Sequence, residues 1–343
     1  MKAFAIAPLL LAAAFAQAQP AAPTGPAPTG IVVGTGNFFS PIVGDLDKAI
    51  EFYRDGIGFE TPGPPGDAGA NAALRDMFGL PDAQIRWMIG RAPGIAGGVE
   101  IVEIAAANGK PLARRMQDSG AFTLLVLVRD IDSVAARLKK LGAPVLTVGG
   151  APALVPMGAG SQARMLMVRD PDGHFVEIVQ PPTMPATAAP ATANIVEVRV
   201  RLTVDDVPSA IDLYQNALGL ELVSRSEFVD NAAVAAAFGM PGAQFRFGML
   251  RVPTSGLTFE VIDFKGVERS AVRGNLQDPG STRIQMRVRD VDEAIAAFAK
   301  VGGQVVSTGG VPLELPAGPN KLKVAIVREP DNLFVVLIGA PPQ

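Results

Sequence analysis

The sequence predicts an α+β protein whose body contains four βαβββ units, with two units in each of two tandem domains. A duplication is the first observation, since residues 43–60 match residues 204–221 and residues 128–142 match residues 288–302. Matches of this length, in the same order, indicate a repeated structural unit. The second observation is that strand-like alternation and helix-like periodicity follow one another in the same order in each repeat.

Each unit is expected to begin with a strand and an aspartate that caps the helix after it. Asp45 has this position in the first unit and Asp130 has it in the second. An amphipathic helix follows, and then three shorter strands. The alternating runs "AQIRWMIG" (83–90) and "GGVEIVEI" (97–104) are two of these strands in the first unit.

The chain begins with an expected signal peptide at residues 1–18. Lys2 precedes an apolar run that ends at a small-x-small site, which predicts cleavage before Gln19 and a periplasmic or secreted protein. A Pro/Ala-rich leader (19–29) precedes a first domain at residues 30–180. A Pro/Ala/Thr-rich segment (181–194), expected to be extended and semi-rigid, then leads to a second domain at residues 195–341.

The composition is that of a globular protein with little electrostatic preference. Of 343 residues, 48% are hydrophobic and 18% are charged, and the formal net charge is −3. This balance gives no reason to bind nucleic acid or an anionic membrane, and no later stretch is apolar for long enough to form a membrane span. The chain has no cysteine, which excludes disulfides, thiol catalysis and thiolate metal sites.

Three motifs carry a resemblance to a known family. They are "DLDKAIEFYRDGIGFE" (45–60) with its copy in the second half, "FGLPDAQIR" (78–86), and "DPDGHFVEIVQP" (170–181). In this order and repetition, the chain resembles the vicinal oxygen chelate superfamily, which includes glyoxalase I, bleomycin-resistance proteins and extradiol dioxygenases. The resemblance covers nearly all of the predicted mature chain. It implies that the two units of each domain form a curled, mixed eight-stranded sheet with a cup, and that the helices lie outside.

Strand alternation sorts the side chains that are expected to face each cup. The second cup is expected to be rich in arginine around one or two carboxylates, with Glu197, Arg199, Arg201, Arg246, Glu260, Arg283 and Gln285 on the polar faces of its strands. The first cup is expected to be largely apolar, with Gln84 and Arg86 on one strand and the carboxylates of Glu100 and Glu177 near its floor.

The resemblance also implies where a metal ion would be bound. The family's metal positions fall on Phe38, Glu100, Thr123 and Glu177 in the first domain, and on Arg199, Glu260, Arg283 and Val336 in the second. None of these is histidine, and an arginine repels a divalent ion. We therefore expect no cofactor, although Glu100 and Glu177 leave a hard divalent cation possible in the first domain.

Two groups of residues have both a functional and a structural interpretation. Glu100 and Glu177 are the candidate catalytic residues, as a general acid and base, because two close buried carboxylates raise one pKa. The structural alternative is an Arg86–Glu100 ion pair, which Arg246–Glu260 would repeat. The candidate ligand-binding residues are Phe38, Arg86, Thr123, Arg199, Arg246, Glu260 and Arg283, with the arginines as an anion site or as an internal ion network.

The only histidine, His174, belongs to the turn of "RDPDGHFVEIVQ" (169–180), and the second copy has Leu333 in its place. A turn position predicts a surface residue.

Three functions remain open from the sequence. The first is an exported protein that binds a small molecule in a cup, with anions among the candidate ligands. The second is a glyoxalase-like lyase or isomerase, or a dioxygenase-like enzyme, that uses Glu100 and Glu177. The third is a structural or partner-binding protein whose cups are filled by side chains. The protein is expected to be a monomer with paired domains or a homodimer.

Overall fold

The computed structural model describes residues 30–36, 39–69, 71–95, 98–105, 108–157, 160–317 and 320–339. The predicted signal peptide and leader lie outside the described residues. Within the described part of the chain, no helix is both long enough and apolar enough to cross a membrane.

The structure confirms four repeated α+β units. The first contains β1 (Val32–Thr35), β2 (Ser40–Val43), α1 (Leu46–Ile50), β3 (Gly66–Asp67), α2 (Ala72–Phe78), β4 (Gln84–Arg91) and β5 (Gly98–Ala105). The second contains β6 (Phe122–Val128), α3 (Ile131–Lys140), β7 (Ala153–Pro156), β8 (Gln162–Arg169) and β9 (Phe175–Gln180).

The second half repeats this order. The third unit contains β10 (Ile195–Thr203), α4 (Val207–Ile211), β11 (Glu221–Arg225), β12 (Val229–Asp230), α5 (Ala232–Ala237), β13 (Gln244–Arg251) and β14 (Thr258–Lys265). The fourth contains β15 (Thr282–Val288), α6 (Val291–Lys300), β16 (Gln304–Val305), a 3₁₀ turn (Thr308–Gly310), β17 (Leu313–Ala317), β18 (Asn320–Arg328) and β19 (Phe334–Gly339). Helices α1 and α4 continue as π-helical turns, Glu51–Ile57 and Asp212–Ala217.

The predicted aspartate caps are confirmed. The Asp45 side chain accepts a hydrogen bond from the Lys48 backbone at the start of α1, and Asp130 accepts from two backbone N–H groups of α3. These bonds satisfy N–H groups that have no partner within the helix, so the sequence fixes where each helix begins.

The strands form two mixed, curled sheets. Among the described residues, one sheet has the order β16-β18-β19-β15-β2-β5-β4-β3, with β1 beside β15 and β17 beside β18. The other has the order β11-β13-β14-β10-β6-β9-β8-β7, with β12 beside β13. The first sheet therefore joins the first and fourth units, and we name it the terminal sheet. The second joins the second and third units, and we name it the central sheet.

This pairing corrects the expectation that the two units of each half share a sheet. In each sheet the first strands of two units meet antiparallel, Arg283 opposite Ser40 in one and Thr123 opposite Arg201 in the other. Consecutive units instead meet through their helices, since the Arg137 guanidinium on α3 donates to the carbonyl oxygens of Gly56 and Ile57.

One hydrophobic core joins the helices of all four units to the helix-facing sides of both sheets. Each sheet has a further apolar cluster on its opposite side, which forms the cup of that sheet. The main helix of each unit (α1, α3, α4 and α6) is therefore outside the cups, as predicted, whereas the short helices α2 and α5 contribute side chains to the two cup clusters. The pairing of units decides which residues share a cup.

Candidate functional site

The floor of the terminal cup is a small polar cluster on three adjacent strands. Glu100 lies on β5, and its Oε2 accepts hydrogen bonds from the Ser40 hydroxyl at 3.2 Å and from the Arg283 guanidinium at 2.9 Å. The Gln285 side-chain amide donates to the same oxygen. The arginine side chain is 4% exposed and the glutamate side chain is 14% exposed. The floor therefore contains one ion pair and carries no net charge.

Apolar side chains form the walls above this floor. The cavity has a volume of about 320 Å³, at the lower end of the range for small-molecule sites. Its apolar lining consists of Leu74, Met77, Phe78, Ile85, Trp87, Val102, Leu315, Leu322, Val324, Val336 and Ile338. Trp87, Leu322 and Ile338 are only partly buried, so the cup presents apolar surface to solvent. A concave apolar wall with a few convergent polar groups is typical of a ligand site.

Trp87, the only tryptophan in the chain, depends on a glycine for its position. It pairs with Gly66 across β3 and β4. A Cβ atom at residue 66 would lie 2.3 Å from the indole ring, far inside van der Waals contact. The glycine therefore makes room for the ring at the wall of the cup.

Arg283 has hydrogen-bonding capacity left over. Its guanidinium lies 4.9 Å from the centre of the Phe78 ring, and one of its nitrogens binds Glu100. Its Nε is buried without a hydrogen-bond partner among the described residues. An unsatisfied buried donor costs free energy, so the hydrogen bonds among the floor residues do not satisfy every polar group of the floor.

The central cup has a different polar cluster. Arg201 on β10 donates from Nη1 to Glu177 at 2.5 Å and from Nε to Glu260 at 2.8 Å. Burial raises the pKa of Glu177 above its ordinary value although Arg201 opposes the change. Burial by itself lowers the pKa of Arg201, but the two carboxylates have the larger effect, so its pKa lies above the ordinary value. Arg199 pairs with Glu197 at 2.5 Å on the same strand.

Buried phenylalanine side chains pack together in the central cup. In the repeat, Ile85 and Ile104 of the terminal cup correspond to Phe245 and Phe264 of the central cup. Both phenylalanines are buried and pack edge-to-face on Phe238. The same scaffold therefore has a terminal cup with a cavity and a central cup in which three buried phenylalanines pack together.

Neither cup has a donor set that fits a metal ion. At the positions to which the resemblance assigns metal ligands, the terminal cup has one carboxylate, Glu100, beside Arg283 and Val336. In the central cup the guanidinium of Arg201 lies between the two carboxylates. Within the described residues, no three His, Cys, Asp or Glu side chains cluster in a way that could hold a metal. An arginine already contacts the carboxylates of each site.

The structure separates the predicted catalytic pair. Glu100 belongs to the terminal cup and Glu177 to the central cup, because the units pair across the two halves. Glu177 lies instead near Glu260, with Arg201 joining them.

Of the predicted ligand-binding residues, Arg283 lies in the terminal cup, and Thr123, Arg199 and Glu260 belong to the central sheet and are buried. Phe38 lies outside the described residues.

Arg86 and Arg246 are corrections. Each faces the helices, where Arg86 pairs with Glu103 at 3.0 Å and Arg246 pairs with Asp263 at 2.7 Å. Ile85 and Trp87 of β4 face the terminal cup, so alternation along the strand turns Arg86 away from it. The predicted Arg86–Glu100 and Arg246–Glu260 pairs are therefore wrong.

His174 is also a correction, because it is buried and not on the surface. Its Nδ1 lies 2.9 Å from Asp170 Oδ2, and its Nε2 lies 2.9 Å from the Ser281 carbonyl oxygen. Tyr53 donates to the same carboxylate at 2.9 Å. Burial lowers the pKa of His174, but Asp170 and the other acceptors outweigh this and raise it overall. The residue is a buried structural link between the second and fourth units.

Sequence reasoning misses four residues of the two cups. It puts Arg201 and Gln285 on the polar faces of their strands but does not single them out as site residues. Ser40 and Trp87 are missed altogether. The sequence signal for Trp87 is a single tryptophan within an alternating strand.

Comparisons with known proteins agree with this geometry. The family model of the Glyoxalase/Bleomycin resistance protein/Dioxygenase superfamily matches residues 37–178 and 196–336. No curated protein matches the chain significantly. Glyoxalase I from Zea mays is a similar solved structure, with a TM-score of 0.57, 19% identity, and coverage of 88% of this chain and 92% of that one. A candidate dioxygenase from Bacillus subtilis has a TM-score of 0.50, 16% identity, and coverage of 92% and 87%. At these identities the structural likeness shows the fold alone.

Proposed function

Because the chain belongs to the glyoxalase, bleomycin resistance protein and dioxygenase superfamily, we propose that it binds a small, mostly apolar molecule in its terminal cup. The observation that carries the proposal is the cavity of about 320 Å³ with apolar walls and a polar floor. In the central cup, Phe238, Phe245 and Phe264 are buried and pack against one another.

The floor favours a ligand with one neutral polar group. Glu100 neutralises Arg283, so an anionic group entering the cup gains from the arginine but is repelled by the carboxylate. An amide group matches both, because its carbonyl oxygen can accept from Arg283 or Gln285 and its N–H can donate to Glu100. We therefore place a carboxamide ahead of the anion that the arginine content suggests.

Separation of Glu100 and Glu177 removes the basis of the lyase or isomerase alternative. That mechanism requires both carboxylates at one reacting centre, within hydrogen-bonding reach of the same substrate. The structural alternative, cups filled by side chains, is at odds with the cavity of the terminal cup.

Fluorescence of Trp87 tests the proposal directly, because this single tryptophan lines the cup. We expect a saturable change in emission on titration with benzamide and a weaker response to benzoate. Ile85→Phe introduces into the terminal cup the phenylalanine that the central cup has at the equivalent position, Phe245. This larger side chain should abolish the response. Phe245→Ile, the reciprocal change in the central cup, should preserve it. A response that survives Ile85→Phe, or no saturable response to either probe, would count against binding in this cup.

We also propose that the protein is exported and that the mature chain begins at Gln19. The support is the charge, apolar run and small-x-small site at the N-terminus. The intact mass of protein recovered from the periplasm of a producing bacterium should match a chain without residues 1–18. Retention of the full-length mass in the cytoplasm would contradict export.

A monomer is the proposed state of the mature protein. Each sheet is already completed by two units of the same chain, so the pairing that a single-domain dimer would supply is internal. Light scattering coupled to size exclusion should give the mass of one chain at micromolar concentration, and a mass of two chains would refute it.

A further inference from the structure

Two arginines lie near each other at one end of the terminal sheet. Arg328 is the last residue of β18 and is opposite Phe334 of β19, with its guanidinium 5.2 Å from the centre of that ring. Val324 and Ile326, at the alternate positions of β18, belong to the apolar cluster of the cup, so Arg328 is on the cup side of its strand. Arg273 precedes β15 and is exposed.

The Arg328 guanidinium is partly buried and unsatisfied. Its Nε is buried without a hydrogen-bond partner among the described residues. Burial and the nearby charge of Arg273 both lower the pKa of Arg328 below its ordinary value, and Asp278 opposes them. An unsatisfied buried donor and two neighbouring like charges each cost free energy. The groups of the protein therefore leave this pair of cations incompletely balanced.

Asp278 is close by, but its oxygens are already bound by the backbone. Oδ1 accepts a hydrogen bond from the Lys110 N–H at 2.9 Å, and Oδ2 accepts from the Asn275 N–H at 2.6 Å. The carboxylate forms a salt bridge with neither arginine, since both distances exceed bonding range among the ion pairs of the described chain. Two arginines and one aspartate together carry a net charge of +1.

We propose that Arg273 and Arg328 form a carboxylate-binding site that is separate from the cavity lined by Trp87. A guanidinium presents paired N–H donors that match the two oxygens of a carboxylate. One carboxylate also balances the net charge of the two arginines and Asp278. Neither arginine lines the cavity of the terminal cup, and the floor of that cavity favours a neutral amide. The site therefore goes beyond the proposed function.

The other half of the chain contains a matched control. Arg169 has the position of Arg328 in the repeat, and its guanidinium lies 4.9 Å from the centre of the Phe175 ring. Its Nε also lacks a partner among the described residues, but its Nη2 donates to the Arg114 carbonyl oxygen at 3.1 Å. Burial lowers the pKa of Arg169 without the contribution from a second arginine that Arg328 has. Arg169 is therefore expected not to bind a carboxylate.

The experiment follows the arginine Nε–H resonances of full-length mature protein labelled with ¹⁵N-arginine, during titration with sodium acetate at constant ionic strength in chloride. Arg→Lys variants assign the signals. We expect a saturable shift of the Arg328 and Arg273 signals and no saturable shift of the Arg169 signal. Arg273→Met should weaken acetate binding at Arg328 about threefold, because it removes one exposed charge. Arg225→Met, which removes an exposed arginine of the central sheet, should leave it unchanged.

Three results would overturn the proposal. They are an Arg328 shift that does not saturate, an equal response at Arg169, and acetate binding that Arg273→Met leaves intact. Inorganic phosphate that displaces acetate at a much lower concentration would also overturn it, because the site would then be selective for phosphate. Benzamide binding, measured from Trp87 emission, should be the same in Arg273→Met and wild type, so failure of this site and failure of the cup proposal can be distinguished.

Discussion

Removal of Arg283 should destabilise the protein, because it breaks the ion pair at the floor of the terminal cup. The pair has an N–O distance of 2.9 Å, and the arginine side chain is almost fully buried. Loss of one partner of a buried pair costs about 3–5 kcal/mol. Glu100 would keep hydrogen bonds from Ser40 and Gln285 and part of its exposure to the cup, so we expect Arg283→Met to cost about 3 kcal/mol, the low end of that range.

A double variant separates the loss of the Arg283–Glu100 ion pair from the loss of arginine packing. Glu100→Gln in the Arg283→Met background removes the charge that was left unpaired, and most of the lost stability should return. A coupling free energy of roughly 2 kcal/mol is expected from the double-mutant cycle.

Urea unfolding, followed by Trp87 emission and by far-ultraviolet circular dichroism, measures all four proteins. Comparable m values would show that the surface exposed on unfolding is unchanged. A cost below about 1 kcal/mol for Arg283→Met, or no recovery with Glu100→Gln, would refute the assignment of a buried, interdependent pair.

Three further predictions follow from buried groups. Burial and Asp331 raise the pKa of Glu329 from 4.5 to about 8, so the folded state holds a proton that the unfolded state loses, and the free energy of unfolding should fall as the pH rises from about 4.5 to about 8. Glu329→Gln should reduce that fall in thermal melts recorded from pH 5 to pH 9. An unchanged dependence of stability on pH would refute this role of Glu329. Gly66→Val should shift Trp87 emission to longer wavelength and weaken benzamide binding without loss of the fold, since any Cβ meets the indole ring; an unaltered emission spectrum would contradict this. His174→Leu introduces the residue found at this position in the second copy, and it should cost about 3 kcal/mol in urea unfolding because it leaves the buried Asp170 carboxylate without its imidazole partner. A change under about 1 kcal/mol would be inconsistent with a buried structural link.

Much of the architecture is predictable from local patterns. Duplication, aspartate caps and strand alternation predict the four units, and they place Glu100, Glu177, Glu260 and Arg283 on the cup faces of their strands. These signals are local, because each depends on residues within a few positions along the chain.

The pairing of the units cannot be predicted from local patterns, because it depends on which strands lie side by side after folding. Thr123 is next to Arg201 and Ser40 is next to Arg283, and alternation within one strand carries no information about either neighbour. The expected Glu100–Glu177 pair failed for this reason.

His174 shows the same limit on a smaller scale. A turn between strands predicts exposure, but its partners are Asp170 and the Ser281 carbonyl, which lies more than a hundred residues further along the chain. Burial of a polar residue is possible when such partners satisfy it, and only the folded chain brings them together.

Crystals grown with 4-bromobenzamide would test the central claim most directly, since anomalous scattering locates the bromine without ambiguity. The account predicts a bromine peak in the terminal cup beside Trp87, with the carboxamide directed at Glu100, Arg283 and Gln285, and no peak in the central cup. A bromine peak in the central cup, or none in either cup at a concentration that saturates the Trp87 signal, would contradict the assignment of ligand binding to the terminal cup.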